Sequence, residues 1–243
     1  MEATTLNGPS ISVPGRSSSN PSVPTTTSIC HEYQHRISEI SARAVLHDPL
    51  NNLFQREKTG REVPVTTSQL YEGCIARTRT KIAAGAFIVE AAGFAAVACW
   101  EPPESIGPDR SEQVIEEISR EKPIFAKFLK EYEEARREVF GDLRRFWVLS
   151  LMARDPERTD KGAVRAVIEP FVAKAREDGV PLWLVAGNER ARDVYGYFGF
   201  RVVKVLRSFP TERMKCEGGL SEEDKEGVRT WCMVANWPPQ KTI

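Results

Sequence analysis

The sequence predicts an α/β domain: a mixed sheet covered by helices on both faces. Two observations carry this. The stretch from Phe146 to Phe200 holds two apolar runs, Phe146–Ala153 and Pro181–Ala186. Between them lie a polar turn through Asp155 to Gly162 and a helical segment from Ala163 to about Glu177. Apolar runs without alternation argue for strands buried on both faces, and a helix between two of them argues for parallel pairing. Around this unit the chain reads as helices, a hairpin and a charged helical insert before it, then a short helix and two strands after it. Such an order closes one layered domain.

Taken in order, helical spacing runs from about Glu32 to Leu46, with Ile37, Ile40, Ala44 and Val45 on one face. It stops before His47-Asp48-Pro49, since the residue before a proline is biased out of the helical region. A second helix spans Thr67 to Thr80, with Leu70, Tyr71, Cys74 and Ile75 inward and Thr67 or Ser68 as its cap. Ala86–Glu90 and Phe94–Trp100 form a hairpin about Ala91-Ala92-Gly93, and Glu101-Pro102-Pro103 ends it. Ser111 to Leu143 is the most charged part of the chain. Pro123 divides it into a shorter helix and a longer one from about Ile124 to Phe140. Phe125, Phe128, Leu129, Tyr132, Ala135 and Val139 make an apolar stripe on the longer helix, and Glu133 faces Arg137 across one turn. This insert, about 104–143, reads either as a surface helix packed on the sheet or as a lid over a substrate. Glu189–Phe198 is a short helix closed by Gly199-Phe200. Arg201–Leu206 and Val228–Ala235 are strands, and Pro210–Gly227 is a polar excursion containing Gly218-Gly219.

Composition narrows the classes. With 34 Lys+Arg against 34 Asp+Glu in 243 residues, no global field exists to hold nucleic acid or an anionic membrane, so any anion site is local. The five cysteines (Cys30, Cys74, Cys99, Cys216, Cys232) are scattered, without a Cys-x-x-Cys pair. They read as reduced, mostly buried thiols of a cytoplasmic protein rather than zinc ligands. Residues 1–28 are rich in Ser, Thr and Pro and carry too little apolar surface to offset ordering entropy. A disordered tail is expected there, with a single domain over 29–243. The longest apolar run, Ile82 to Trp100, is broken by Gly85, Glu90 and Gly93 and does not reach transmembrane length.

Four pieces of the chain resemble the GNAT superfamily of acyl-CoA-dependent N-acetyltransferases, of the type found in fungi. Trp147-Val148-Leu149-Ser150-Leu151-Met152-Ala153-Arg154-Asp155-Pro156 resembles the family's central strand and its Asp-Pro exit. Thr159 to Val164 occupies the position of the pyrophosphate turn. Asn188-Glu189-Arg190 with Val194-Tyr195 and Gly199-Phe200 resembles the family's Asn-to-Tyr helix and its Gly-Phe ending. Ala44 to Leu50, ending in His47-Asp48-Pro49-Leu50, resembles the close of the first helix in one branch. The resemblance implies a mostly antiparallel sheet with a central parallel strand pair. It also implies acetyl-CoA as acyl donor and the amine of a small molecule as acceptor. It places backbone groups of Leu151, Met152, Ala153 and Arg154 along the cofactor's pantetheine arm, Asn188 beside that arm, and Tyr195 as the acid that protonates the departing thiolate.

The turn departs from the family's pattern of Gln or Arg, two residues, Gly, one residue, then Gly or Ala. Counted from Thr159, Gly162 matches but Thr159 and Val164 do not; counted from Arg158, the ends Arg158 and Ala163 match but Lys161 replaces the glycine. Asp160 stands where it could cap the amides of Gly162 or Ala163 and compete with a phosphate. Arg158, Lys161 and Arg165 supply compensating positive charge. Glu90, Glu101 and Glu104, at strand ends, are candidates for the general base, with Glu101 the leading one, although strand-end carboxylates are usually just solvated. His31 and His35 are one helical turn apart without a visible third ligand. Trp100, Trp147 and Trp183 read as core. Two other functions fit the same fold: binding of another ligand or partner with Asp160 blocking the phosphate site, or lyase or isomerase chemistry in the same cleft.

Overall fold

The two apolar runs of the central unit do pair in parallel. A computed structural model describes residues 23–60, 63–212, 214 and 226–238. Its strands are β1 (Thr25–Ser28), β2 (Phe87–Ala91), β3 (Ala96–Glu101), β4 (Trp147–Arg154), β5 (Leu182–Ala186), β6 (Arg201–Ser208) and β7 (Val228–Ala235). They form one sheet in the order β1-β2-β3-β4-β5-β7-β6. Only β4 and β5 are parallel; every other neighbouring pair is antiparallel. The helices are α1 (His31–Ala44), α2 (Pro49–Thr59), α3 (Thr67–Ala83), α4 (Glu112–Glu121), α5 (Pro123–Phe140), α6 (Ala163–Glu177) and α7 (Glu189–Tyr197). No helix among the described residues is long and apolar enough to cross a membrane.

Two core layers follow from the strand period of two. On one face Phe87, Val89, Trp100, Trp147, Leu149, Leu184 and Met233 pack against Val167, Ile168 and Phe171 of α6, with Tyr195 of α7. On the other, Ile88, Val97, Cys99 and Ala153 pack on Ile37 and Ile40 of α1. Further along that second face, Val148, Trp183, Cys232 and Val234 meet Ala135 and Phe140 of α5. The three tryptophans expected in the core are there, each at most 6% exposed. Cys74, Cys99 and Cys232 are buried free thiols and Cys30 is exposed; Cys216 lies outside the described residues.

Four expectations need correction, the first being the cap of α3, which is Thr66 in a capping box with Gln69 rather than Thr67 or Ser68. The tail does not extend to residue 28: Thr25–Ser28 pair antiparallel with Ile88–Ala91, making β1 an edge strand, while residues 1–22 lie outside the described residues. Asp48-Pro49 does not only end a helix but begins one. Pro49 is the first residue of α2, and the Asp48 carboxylate accepts from the Asn51 amide at 3.1 Å as its cap. Glu133 does not reach Arg137; it turns into the interior and takes Arg110 at 2.5 Å. The insert reads as a packed helix rather than a lid, because α5 lays its apolar stripe on the sheet and α4 buries no residue.

Asp109 fastens the insert. Its carboxylate takes Arg136 in a short ion pair, with Arg137 at 3.2 Å and Arg144 at 3.9 Å. Burial raises its pKa, but the Arg136 hydrogen bond and charge outweigh that and hold it below the ordinary 3.8. A lowered carboxylate stabilises the fold fully above the unfolded value and loses that contribution as pH falls through the folded one. Asp109→Asn is therefore expected to cost about 1–3 kcal/mol near neutrality. The cost should shrink below about pH 4, which urea unfolding at pH 7 and pH 3.5 would measure.

Candidate functional site

The parallel pairing of β4 and β5 is short. It covers only Trp147–Leu149 against Leu182–Leu184. Both strands continue, but β4 from Ser150 to Arg154 is paired on its β3 side alone, and β5 turns its remaining bonds to β7. The strands therefore part, and the backbone of Ser150–Arg154 offers a free edge to whatever enters between them. A bulge sits where they part: Cys99 pairs with Leu151 and Trp100 with Leu149, so Ser150 is the extra residue. Its hydroxyl donates to the Cys99 carbonyl at 3.2 Å. Ser150, Leu151, Met152 and Arg154 are half-buried and Ala153 is buried. Leu149 and Met152 face α6, whereas Leu151 and Ala153 face α1.

At the end of this edge stands the N-terminus of α6. Gly162 precedes it with φ +83, and no side chain caps it. The first helical bond runs from the Ala166 amide to the Gly162 carbonyl, so the amides of Ala163, Val164 and Arg165 project without helical acceptors, at the positive end of the helix dipole. Gly162 could not readily be larger: an added Cβ would lie 3.3 Å from Val23, which approaches from the chain before β1. Thr159, Lys161 and Gly162 are exposed, Val164 is half-buried and Ala163 is buried.

Asp160 does not cap these amides, contrary to expectation. Arg158 grips it with Nε and Nη2, both at 2.9 Å, and donates its remaining nitrogen, Nη1, to the Gly93 carbonyl at 2.6 Å. The Arg158 hydrogen bond draws the Asp160 pKa below its ordinary value, and the same bond raises that of Arg158. Arg158 thus neutralises Asp160 instead of facing the helix end. The hairpin that supplies Gly93 has three successive residues at positive φ, Ala92, Gly93 and Phe94. It is held by the Pro24 carbonyl on the Ala92 amide and the Glu90 carboxylate on the Phe94 amide. Lys161 and Arg165 remain, Arg165 leaning on Glu169 at 3.1 Å and on the Tyr197 ring.

Tyr195 is buried in the layer shared with Leu149 and Met152, edge-on to Phe200 at 6.0 Å between ring centres. Its hydroxyl has no hydrogen-bond partner among the described residues, and burial pushes its pKa well above the ordinary tyrosine value. It is a neutral O–H donor at any physiological pH. Asn188 caps α7 through the Ala191 amide at 2.9 Å and donates to Asp48 at 3.0 Å. Sequence reading overlooked Asp48, which is buried against the β5–α7 turn; the His-Asp-Pro motif was its only local signal. Glu101 is not brought to the slot. It sits on β3, one strand away, where it pairs with Lys81 at 2.6 Å on the face opposite Tyr195. Glu90 is buried and serves the hairpin and Thr26 at 2.5 Å. His35 bonds Tyr71, and no group of three metal-ligating side chains exists among the described residues.

Solved structures share this fold. An arylalkylamine N-acetyltransferase of Aedes aegypti superposes with a TM-score of 0.56 at 14% identity, covering 86% of this chain and 97% of its own. A polyamine N-acetyltransferase of Drosophila melanogaster gives 0.54 at 12%, covering 87% and 99%. A Corynebacterium glutamicum protein described as histone acetyltransferase HPA2 and related acetyltransferase gives 0.53 at 16%, covering 88% and 96%. The fold is GNAT-like. No family model matches the chain. Among curated proteins, increased recombination centers protein 11 of Saccharomyces cerevisiae is 35% identical over 63 residues, 26% of this chain. The match spans only 40% of that yeast relative's length.

Proposed function

We propose that the chain is an acetyl-CoA-dependent N-acetyltransferase acting on the amine of a small molecule. One observation carries this reading: a free strand edge, Ser150–Arg154, that runs out at an uncapped helix N-terminus. An extended amide-bearing arm ending in a pyrophosphate needs both, one for its peptide-like groups and one for its charge. Leu151, Met152, Ala153 and Arg154 would pair with the arm. The amides of Ala163, Val164 and Arg165, beside Lys161 and Gly162, would receive the pyrophosphate. Thr159 lines the turn, Arg158 holds the turn's shape, and Asn188 fixes the start of α7 beside the slot.

The chemistry follows from the same geometry. The neutral amine attacks the thioester carbonyl, the C–S bond breaks, and the sulfur leaves as thiolate. Tyr195, on the α6 face of the slot and kept protonated by burial, donates the proton the thiolate takes up. A strand-edge amide at the bulge would steady the carbonyl oxygen as it gains charge. Glu101 stays committed to Lys81, and the amine's proton leaves by solvent. Names of similar structures, an arylalkylamine and a polyamine N-acetyltransferase among them, support an amine acceptor. The grip of Arg158 on the Asp160 carboxylate supports this reading over the competing idea of a phosphate site blocked by Asp160.

Calorimetry tests the cofactor. Wild type is expected to bind acetyl-CoA with micromolar affinity, and Lys161→Ala to weaken it about threefold to tenfold, as loss of one charged phosphate contact would. Arg158→Ala should weaken it more, by releasing the Asp160 charge beside the helix end, and Arg158→Ala with Asp160→Ala should recover most of the loss. No binding at millimolar acetyl-CoA would remove the reading.

A further inference from the structure

We infer, on top of the acyltransferase reading, that the acceptor amine also carries a carboxylate, as an amino acid does. The observations lie on the face of the sheet opposite Tyr195. Asp48, Asn52 and Arg56 recur at four-residue spacing, so they share one stripe of α2. The stripe starts at the slot: Asp48 takes the Asn188 amide at 3.0 Å, and its carboxylate lies 3.3 Å from where a Cβ on Gly187 would stand, just past β5. Further along, the Asn52 Oδ1 and the Arg56 Nε are both buried and without partners. No carboxylate among the described residues pairs with Arg56, although the residue is half-buried.

Helix α2 packs against β7, where Thr230 is fully buried and its hydroxyl likewise lacks a partner. Thr230 precedes Trp231, which pairs with Ala186 at the end of β5, so it too lies at the slot's end. From α1, Ser41 adds another buried, unpartnered hydroxyl. Buried polar groups are ordinarily satisfied, and a half-buried guanidinium is ordinarily paired. Of the seven buried polar atoms without partners among the described residues, these four stand on α1, α2 and β7, elements that meet beside one end of the slot. They fit a ligand.

The donor set specifies its chemistry. Arg56, Thr230 and Ser41 are donors suited to an anion, and a guanidinium fork matches a carboxylate. The Asn52 oxygen is an acceptor, suited to an N–H. A zwitterion with a carboxylate near its amine satisfies both, whereas a polyamine would meet an unpaired cation.

Matched acceptor pairs test this, with thiol release as the readout: L-tyrosine against tyramine, L-ornithine against putrescine, L-arginine against agmatine. The carboxylated member of at least one pair is expected to show kcat/KM at least tenfold higher. Arg56→Gln should lower that value about tenfold through KM, leave the KM for acetyl-CoA unchanged, and leave the decarboxylated member unaffected. Arg56→Lys should restore part of it. In parallel, saturation-transfer NMR in the presence of CoA should detect the amino acid on wild type and not on Arg56→Gln. Preference for the decarboxylated members, equal losses for both members in Arg56→Gln, or no amino acid bound by NMR would overturn the inference. Acetyl-CoA binding by calorimetry separates the two claims: if it persists while these outcomes fail, only the carboxylate is wrong, and if it is absent the transferase reading falls too.

Discussion

Tyr195→Phe is expected to lower kcat about a hundredfold while acetyl-CoA affinity stays within twofold. The substitution removes one oxygen from a ring whose packing against Phe200 and the α6 layer is otherwise kept, so the fold should tolerate it. General acid help to a leaving group is worth roughly 10²–10⁴ in rate, and only the hydroxyl can supply it here. The pH profile adds a second readout. Because burial raises the tyrosine's pKa, its proton is retained well past neutrality, so wild type should show no alkaline loss from this group below about pH 10. Acetyl transfer measured from pH 6 to 9.5 checks both points, and unchanged turnover in the variant would exclude the acid role.

Trp100→Ala should be the most destabilising single change in the sheet. Trp100 is wholly buried, stacks on Phe171 with 4.8 Å between ring centres, and donates its indole N–H to the Val167 carbonyl at 3.0 Å. It therefore bolts α6 to the β3–β4 floor. Emptying such a site costs about 3–5 kcal/mol, a fall in Tm on the order of 10 °C for a domain this size. Trp100→Phe should recover most of the packing and lose mainly the hydrogen bond, about 1 kcal/mol. Urea unfolding measures the cost. If α6 is aimed by this contact, acetyl-CoA affinity in Trp100→Phe should drop by more than the stability loss alone explains.

Much of this fold was legible because its signals are local. Gly162 and Gly179 bracket α6, and the helix runs between them with the expected bounds Ala163–Glu177. The burial of β4 and β5 could be read from unbroken apolar runs. What sequence reading missed depends on partners distant in the chain. Thr25–Ser28 look like tail by composition and become strand only because the β2 edge is there to receive them. Glu133 has Arg137 one turn away, yet the buried pocket beside Arg110 wins. Asp160 is two residues from the helix end, but a planar guanidinium two residues before it offers two bonds instead of one. The link between Asp48 and Asn188 spans 140 residues, and no periodicity announces it. Glu101 stands at a strand end, where a general base could be, but strand order, which the sequence does not spell out, puts β4 between it and the slot.

The short strand β1 has a consequence for how this protein can be handled. Four residues shield the outer hydrogen-bonding rim of β2, and the Thr26 hydroxyl donates to one oxygen of the buried Glu90 carboxylate, whose other oxygen takes the Phe94 amide. A chain begun at residue 29, the boundary composition suggests, would bare a sticky rim and take from a buried carboxylate one of its donors in one cut. Such a truncation should precipitate or self-associate on concentration, whereas one begun at residue 22 should remain monodisperse by light scattering.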